Sequence, residues 1–334
     1  METDNRLFLV DAYALIFRAY YAFISNPMNN SKGLPTSTIF GFTLTLEELL
    51  RKENPSHIAV VFDPPGPTFR HEMFPAYKAN REATPEDIKR SVPYIKKIIE
   101  GFNIPIVEEQ GYEADDVIGT LSKRAEKEGY TVYMMTPDKD FAQLVTEKVR
   151  IYKPGRGGSP PEVLGIEEVR KRFLVEHPGQ VIDILALWGD SSDNIPGAPG
   201  IGEKTAKKLI NMYQSVEGLY ENIGSLKGKQ KENLENAREQ VLLSKRLATI
   251  TLDVPVEIRI GQMVRSPMNK DALKEIFNEL EFKTLSSRIL SGPEIREPGK
   301  AASEEPTGPG TLFGEGAVPT SGVEPTKLDS INTV

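Results

Sequence analysis

Leu7-Phe8-Leu9-Val10-Asp11 sets four consecutive large apolar residues against one carboxylate. The pattern returns twice, as Ile58 to Phe62 before Asp63 and as Thr131 to Met135 before Asp138. Apolar runs of this length without alternation read as strands buried on both faces. Between them lie helical patterns. From Thr36 to Arg51, Thr36 and Ser37 offer caps while Ile39, Phe42, Leu46 and Leu49 recur near the helical period. Strands alternating with helices predict an α/β fold with a central, mainly parallel sheet flanked by helices. Ligands of such sheets bind outside the carboxyl ends of the strands, which is where these acids stand.

Nine carboxylates share this placement: Asp11, Asp63, Glu113, Asp115, Asp116, Asp138, Asp140, Asp190 and Asp193. A carboxylate at a buried strand end needs a partner, and no matching set of basic residues lies beside them in sequence. Divalent metal is the simplest partner. The chain has no cysteine and three scattered histidines, His57, His71 and His177. Disulfides, thiol nucleophiles and Cys-ligated metals are thereby excluded, and an oxygen-ligated ion such as Mg²⁺ or Mn²⁺ is favoured.

The formal charge of −7 looks unsuited to a polyanionic ligand. Residues from Ser291 onward carry a net −4, however, which leaves −3 for the rest. Without the nine site acids that remainder becomes +6, a mildly basic surface.

Three segments carry the chemistry. In Gly111 to Leu121, Ala114, Val117, Ile118 and Leu121 form the core face of a helix. Helical spacing puts Glu113 and Asp116 on one flank of it and Asp115 on the other. Acids favour helix starts for capping alone, but three exceed what a cap requires. Asp138-Lys139-Asp140 and Asp190-Ser191-Ser192-Asp193 add paired acids after further apolar segments. Two hard cations held by such a set form the usual device for attack of water on a phosphodiester, without histidine or serine.

The second segment, Gly197-Ala198-Pro199-Gly200-Ile201-Gly202-Glu203-Lys204-Thr205-Ala206-Lys207-Lys208, places glycine amides and three lysines at a helix start. It predicts a hairpin that grips a phosphate backbone without reading sequence. The third runs from Phe69 to Arg81. Lys78 and Arg81, three apart, share a face if that segment is helical, and would clamp a phosphate while Tyr77 stacks a base. Lys89, Arg90, Lys96 and Lys97 read as a solvated cationic face.

In this order the stretches FRHEMFPAYKANR (69–81), GYEADDVIGTL (111–121), DKD (138–140), GDSSDNIPG (189–197) and PGIGEKTAKKL (199–209) closely resemble the 5′ nuclease family. That family comprises the 5′→3′ exonuclease domain of bacterial DNA polymerase I, phage 5′ exonucleases and flap endonucleases. The similarity runs from about Leu7 to Leu290. It implies a helical arch over the site, at about residues 64–102, and a helix–hairpin–helix element binding duplex DNA beside a cation, commonly K⁺. It further implies one Mg²⁺ group of Asp11, Asp63, Glu113 and Asp115 with Asp116 nearby, and a second of Asp138, Asp140, Asp190 and Asp193. Mn²⁺ would substitute. Lys78 and Arg81 match residues that contact the scissile phosphate, with Tyr77 and Arg70 alongside. Pro137 stands where the family commonly has glycine, which removes no ligand.

The domains expected are residues 1–175, a nuclease domain; 176–290, a helical DNA-binding subdomain; and 291–334, a disordered tail or linker. The expected activity is hydrolysis of DNA flaps, nicks and RNA-primed ends by a monomeric enzyme of DNA replication and repair. A non-catalytic DNA-binding module and an RNA-directed nuclease are the alternatives. The tail would lead to a polymerase domain or another replication protein. The run at Leu7 lacks the flanks of a signal peptide and no run is long enough to span a bilayer, so a soluble cytoplasmic protein is expected.

Overall fold

A computed structural model describes residues 5–155 and 159–291 of the chain. Six strands form one sheet: β1 (Arg6–Asp11), β2 (His57–Val61), β3 (Ile106–Val107), β4 (Thr131–Met135), β5 (Val149–Lys153) and β6 (Glu162–Leu164). Their order is β3-β2-β1-β4-β5-β6. All neighbours pair in parallel except β5 and β6, which are antiparallel. The chain builds outward from β1 to β2 and β3, then crosses back to lay β4 on the other side of β1. That reversal makes a crevice at the carboxyl ends of β1 and β4.

Around the sheet run α1 (Ala12–Phe23), α2 (Ser37–Lys52), α3 (Phe69–Met73), α4 (Glu86–Gly101), α5 (Ala114–Lys127), α6 (Ile166–Phe173) and α7 (Val181–Trp188). There follow α8 (Glu203–Tyr213), α9 (Val216–Glu221), α10 (Gly228–Asn236), α11 (Arg238–Ala248), α12 (Lys270–Glu279) and α13 (Lys283–Leu290). The alternation of side chains along β1 explains two cores. Leu7 and Leu9 point into one, with Val117 and Leu121 of α5, Ile184 of α7 and Val241 of α11. Phe8 and Val10 point into the other, with Ile16, Phe42, Ile95 and, from the far end of the chain, Leu273, Phe277 and Leu285. The helices after residue 176 therefore cover both faces of the sheet. Burying both sides of β1 is what four unbroken apolar residues require.

The three apolar runs and the helices at 37, 166, 181 and 204 stand where the sequence puts them. Other elements differ. Strands β3, β5 and β6 are short, or carry charges such as Arg150 and Lys153, and lack a continuous apolar signature. The pattern from Lys231 to Leu247 is two helices, broken at Ala237 (φ −95°, ψ 10°) without glycine or proline to announce it. Neither Thr36 nor Ser37 caps α2, because both side chains bond the backbone of Met28. The segment from Pro75 to Arg81 is a run of turns, not a helix, and Lys78 is left-handed at φ 55°. The tail expected from 291 to 334 lies, apart from Ser291, outside the described residues. No helix among the described residues is long and apolar enough to cross a membrane.

Candidate metal and phosphate site

Asp11 ends β1 and caps α1, accepting the Ala14 amide at 3.1 Å. Its other oxygen accepts from the Thr136 hydroxyl at 3.0 Å, and that hydroxyl accepts the Asp138 amide at 3.2 Å. Asp138 in turn accepts the Asp140 amide at 2.9 Å. Hydrogen bonds thus carry the end of β1 across to the turn after β4. Asp63, two residues beyond β2, accepts the Ala114 amide at 2.8 Å and so fixes the start of α5.

α5 separates its acids by flank, as its period requires. Asp115 turns toward Asp138 and Asp11, while Glu113 and Asp116 turn toward Arg70. Burial, reinforced by neighbouring carboxylates, raises Asp63 and Asp138 and lifts Asp115 and Asp140 well above the ordinary range. Asp11, also buried, is pushed up to about 7. Among the described residues one buried oxygen, Asp140 Oδ1, has no hydrogen-bond partner, with Lys139 Nζ standing 3.9 Å away. An uncompensated group of this kind is what a divalent cation relieves, and an all-oxygen donor set suits Mg²⁺ or Mn²⁺.

The other acids are held by cations. Lys78 Nζ lies 2.7 Å from Glu113 and 3.7 Å from Asp193. Arg81 pairs with Asp193 and Lys139 with Asp190. Burial raises Asp190, but hydrogen bonds from Lys139 and Ser192 outweigh it and leave the carboxyl below its ordinary value. The acids therefore sort into a set with no close cation (Asp11, Asp63, Asp115, Asp138 and Asp140, the last with Lys139 Nζ no nearer than 3.9 Å) and a set neutralised by Lys78, Arg81 and Lys139. Among the described residues no three of them close into a complete cage as they stand.

Several side chains do not do what their sequence positions suggest. Asp116, with no exposure, receives Arg70 bidentately at 2.6 and 2.8 Å and the amides of Glu113 and Thr251, so it has no oxygen left for a metal. Arg70 is itself 2% exposed and cannot reach DNA. Tyr77 is buried, its hydroxyl bonding Glu113 at 3.0 Å and Asp193 at 3.1 Å, which leaves no ring face for a base. Lys207 is spent on Glu203 and the Arg172 carbonyl. Gly197 is buried, its amide donating to Ser244 Oγ at 3.0 Å. A Cβ there would meet the backbone of Gly189 at 2.5 Å, so this glycine serves packing, not phosphate. Exposed at the hairpin are Gly200 (φ 74°), Gly202, Lys204 and Lys208, with Thr205 half-buried and Ile201 buried as the anchor. Lys89 is exposed and pairs with Glu86, whereas Lys96, expected on the same solvated face, is half-buried over the Phe62 ring and pairs with Glu108. Lys139, Thr136 and Gln143 were missed by the sequence reading, and only the place of Lys139 between two aspartates offered a signal.

The raised carboxyls make a stability prediction. A carboxyl whose folded pKa exceeds its unfolded one costs nothing below the lower value and destabilises progressively as pH rises toward the higher. For Asp11 the window runs from 3.8 to about 7. Between pH 5 and 7.5 in EDTA, Asp11 alone accounts for about 2 kcal/mol, or about 5 °C in Tm. Millimolar Mg²⁺ restores the loss at pH 7.5, and Asp11→Asn flattens the slope. His57, which burial lowers, acts oppositely below 6.5, so a His57→Gln background isolates the acids. A Tm indifferent to both pH and Mg²⁺ would contradict the assignment.

A parallel sheet with unpaired acids gathered at its switch point, faced by lysine and arginine, defines a metal-suited centre for phosphate esters. A family model for the 5′-3′ exonuclease N-terminal resolvase-like domain matches residues 6–174, and one for the 5′-3′ exonuclease C-terminal SAM fold matches residues 176–271. The chain belongs to the 5′-3′ exonuclease family. It is 40% identical to DNA polymerase I of Bacillus subtilis over 290 residues, which cover 86% of this chain and 33% of that protein. DNA polymerase I of Mycobacterium leprae is 39% identical over 289 residues, covering 86% and 32%. The chain thus spans about a third of the length of the curated relatives it matches. T5 5′-exonuclease, solved with bound zinc ions, superposes with a TM-score of 0.61 at 24% identity, over 83% of this chain and 98% of that one. The catalytic core of Rad2 in complex with DNA substrate gives 0.59 at 17% identity, over 86% and 92%. These two likenesses establish the fold.

Proposed function

We propose that this chain hydrolyses phosphodiesters at or near the 5′ end of DNA flaps, nicks and RNA-primed fragments, as 5′→3′ exonuclease and flap endonuclease, with two Mg²⁺ ions that Mn²⁺ can replace. The observation that carries the reading is the set of buried acids without a close cation, Asp11, Asp63, Asp115, Asp138 and Asp140, beside Lys78 and Arg81, which are paired to neighbouring acids. These five acids would hold the ions, joined by Glu113, Asp190 and Asp193 once their cations leave. When bound, two divalent ions supply a water of lowered pKa and offset the charge that develops on phosphorus oxygens. The chain's own residues supply orientation. Lys78 and Arg81 exchange Glu113 and Asp193 for oxygens of the scissile phosphate, which frees those acids as substrate arrives. The left-handed backbone of Lys78, held by its amide on the Asp193 carbonyl at 2.9 Å, keeps Nζ over the acids.

Duplex would be gripped by exposed amides and lysines from Gly200 to Lys208, with K⁺ a candidate ion there. Residues 1–175 then serve as the nuclease domain, 176–290 as the DNA-binding part, and the tail as a link to a polymerase domain or replication partner. The working form would be a cytoplasmic monomer.

An end-labelled 5′ flap incubated with Mg²⁺ yields short labelled products, and EDTA abolishes them. Flap binding without product at any Mg²⁺ concentration would establish a non-catalytic binder, and preferential cleavage of single-stranded RNA an RNA-directed enzyme. Lys78→Ala lowers kcat by about 10² to 10³ with smaller change in KM, as loss of a group that meets transition-state charge.

A further inference from the structure

The end of α11 and the residues after it, Leu247 to Thr251, are fastened largely by side chains from elsewhere in the chain. Arg70 donates to the carbonyls of Leu247 and Thr249, each at 2.9 Å. Asp116 accepts the Thr251 amide at 2.8 Å, and Thr120 donates to the Thr251 carbonyl at 3.3 Å. Gln143 completes the set. Its Nε2 donates to the Ala248 carbonyl at 3.0 Å and its Oε1 accepts the Ile250 amide at 3.0 Å. The same Nε2 donates to the carbonyl of Asp140 at 2.9 Å. Gly119 of α5 lets the strap lie close, since a Cβ there would stand 2.7 Å from Ile250 Cγ2.

Earlier in α11, two side chains hold the residue that leads into the hairpin. Ser244 Oγ, fully buried, accepts the Gly197 amide at 3.0 Å, and Gln240 donates to the Gly197 carbonyl at 2.7 Å. One helix therefore holds Gly197, three residues ahead of the exposed hairpin at Gly200, and through the strap also holds the turn bearing Asp140. Nothing in the strap's own sequence requires this; four buried polar side chains from three separate elements converge to build it.

We propose that Gln143 is a positioning residue that sets Asp140 for metal, and that α11 with its strap makes metal affinity depend on occupancy of the hairpin. This rests on the reading of the two sites given above. Gln143 acts through Asp140: its amide nitrogen clips the first residue of the turn to a strap that cannot shift without breaking four other hydrogen bonds. Such outer partners of metal ligands typically alter affinity about 10- to 100-fold. Coupling of this kind is reciprocal, so Ca²⁺, which occupies oxygen sites without supporting cleavage, tightens duplex binding by the factor that duplex tightens Ca²⁺.

The test uses the full chain, with Ca²⁺ affinity from calorimetry and affinity for a fluorescent 5′-flap duplex from anisotropy, in EDTA and in saturating Ca²⁺. The unmodified chain binds the duplex about 5-fold or more tightly with Ca²⁺. Gln143→Glu, isosteric but with acceptors facing two carbonyls, weakens Ca²⁺ about 10-fold or more and leaves duplex affinity in EDTA unchanged. Ser244→Ala keeps each separate affinity yet brings the Ca²⁺-dependent ratio toward one. Circular dichroism establishes folding, and if Gln143→Glu is unfolded the ratio in Ser244→Ala decides alone. Ca²⁺ affinity unchanged in folded Gln143→Glu, or an unchanged ratio in Ser244→Ala, overturns the proposal. Should the unmodified chain bind both ligands independently, the strap proposal alone fails. Should it bind neither, the functional reading fails with it.

Discussion

Replacing Asp138 and Asp140 together with alanine lowers single-turnover cleavage of a 5′ flap by about a thousandfold or more, while the metal-free protein becomes no less stable. The two halves of this result have one cause. Both carboxyls are buried beside other acids, which holds them above the ordinary range, and Asp140 Oδ1 has no hydrogen-bond partner. Without metal they repel their neighbours, and Lys139, 3.9 Å from Asp140, is shared with Asp190 rather than committed to them as Arg70 is to Asp116, so deleting them costs little. As the proposed ligands they would hold an ion that stabilises transition-state charge by several kcal/mol, and it would be lost with them. Ordinary structural residues behave in the opposite way, losing stability and activity together. Cleavage at the unmodified rate would remove this centre from the reaction.

Arg70→Met destabilises the protein by about 3–5 kcal/mol in urea unfolding, the loss expected when one partner of a buried pair is left charged and alone. All five guanidinium protons are committed, to Asp116, Glu113 and the carbonyls of Leu247 and Thr249. A second substitution, Asp116→Leu, recovers much of the loss because no uncompensated charge remains. If Arg70 instead contacted DNA, Arg70→Met would weaken flap binding and leave unfolding unchanged. The comparison therefore separates the structural role from the one suggested by its motif.

How much of the site could be read from the chain depends on what each residue's chemistry demanded. Asp11, Asp63 and Asp138 were legible because an acid ending an apolar run stands out against its neighbours. The flank on which Asp115 parts from Glu113 and Asp116 was legible because helical geometry is local. Arg70 and Tyr77 were misread. Within FRHEMFPAYKANR they look like an exposed cationic and aromatic strip; in the fold Arg70 of α3 is buried on Asp116 and the strap, and Tyr77, in the turns after α3, on Glu113 and Asp193. Lys78 and Arg81 were expected to clamp a phosphate from one face of a helix; in the fold they pair with Glu113 and Asp193, from turns and, for Lys78, a left-handed backbone.

The sequence by itself determined the parallel sheet, the edge on which the acids gather, and the phosphate chemistry they suit. Those features follow from local rules: apolar runs must be buried, and carboxylates at their ends must be compensated. Tertiary structure alone decided which acids are compensated by protein and which are left for metal. Arg70 reaches Asp116 across 46 positions of sequence, Lys78 reaches Glu113 across 35 and Lys139 reaches Asp190 across 51, and no local pattern records such pairings. The same holds for the strap at Leu247 to Thr251, whose backbone is satisfied by side chains more than a hundred residues away. Compensation of buried charge is a property of three-dimensional proximity, so it appears only when the chain has folded.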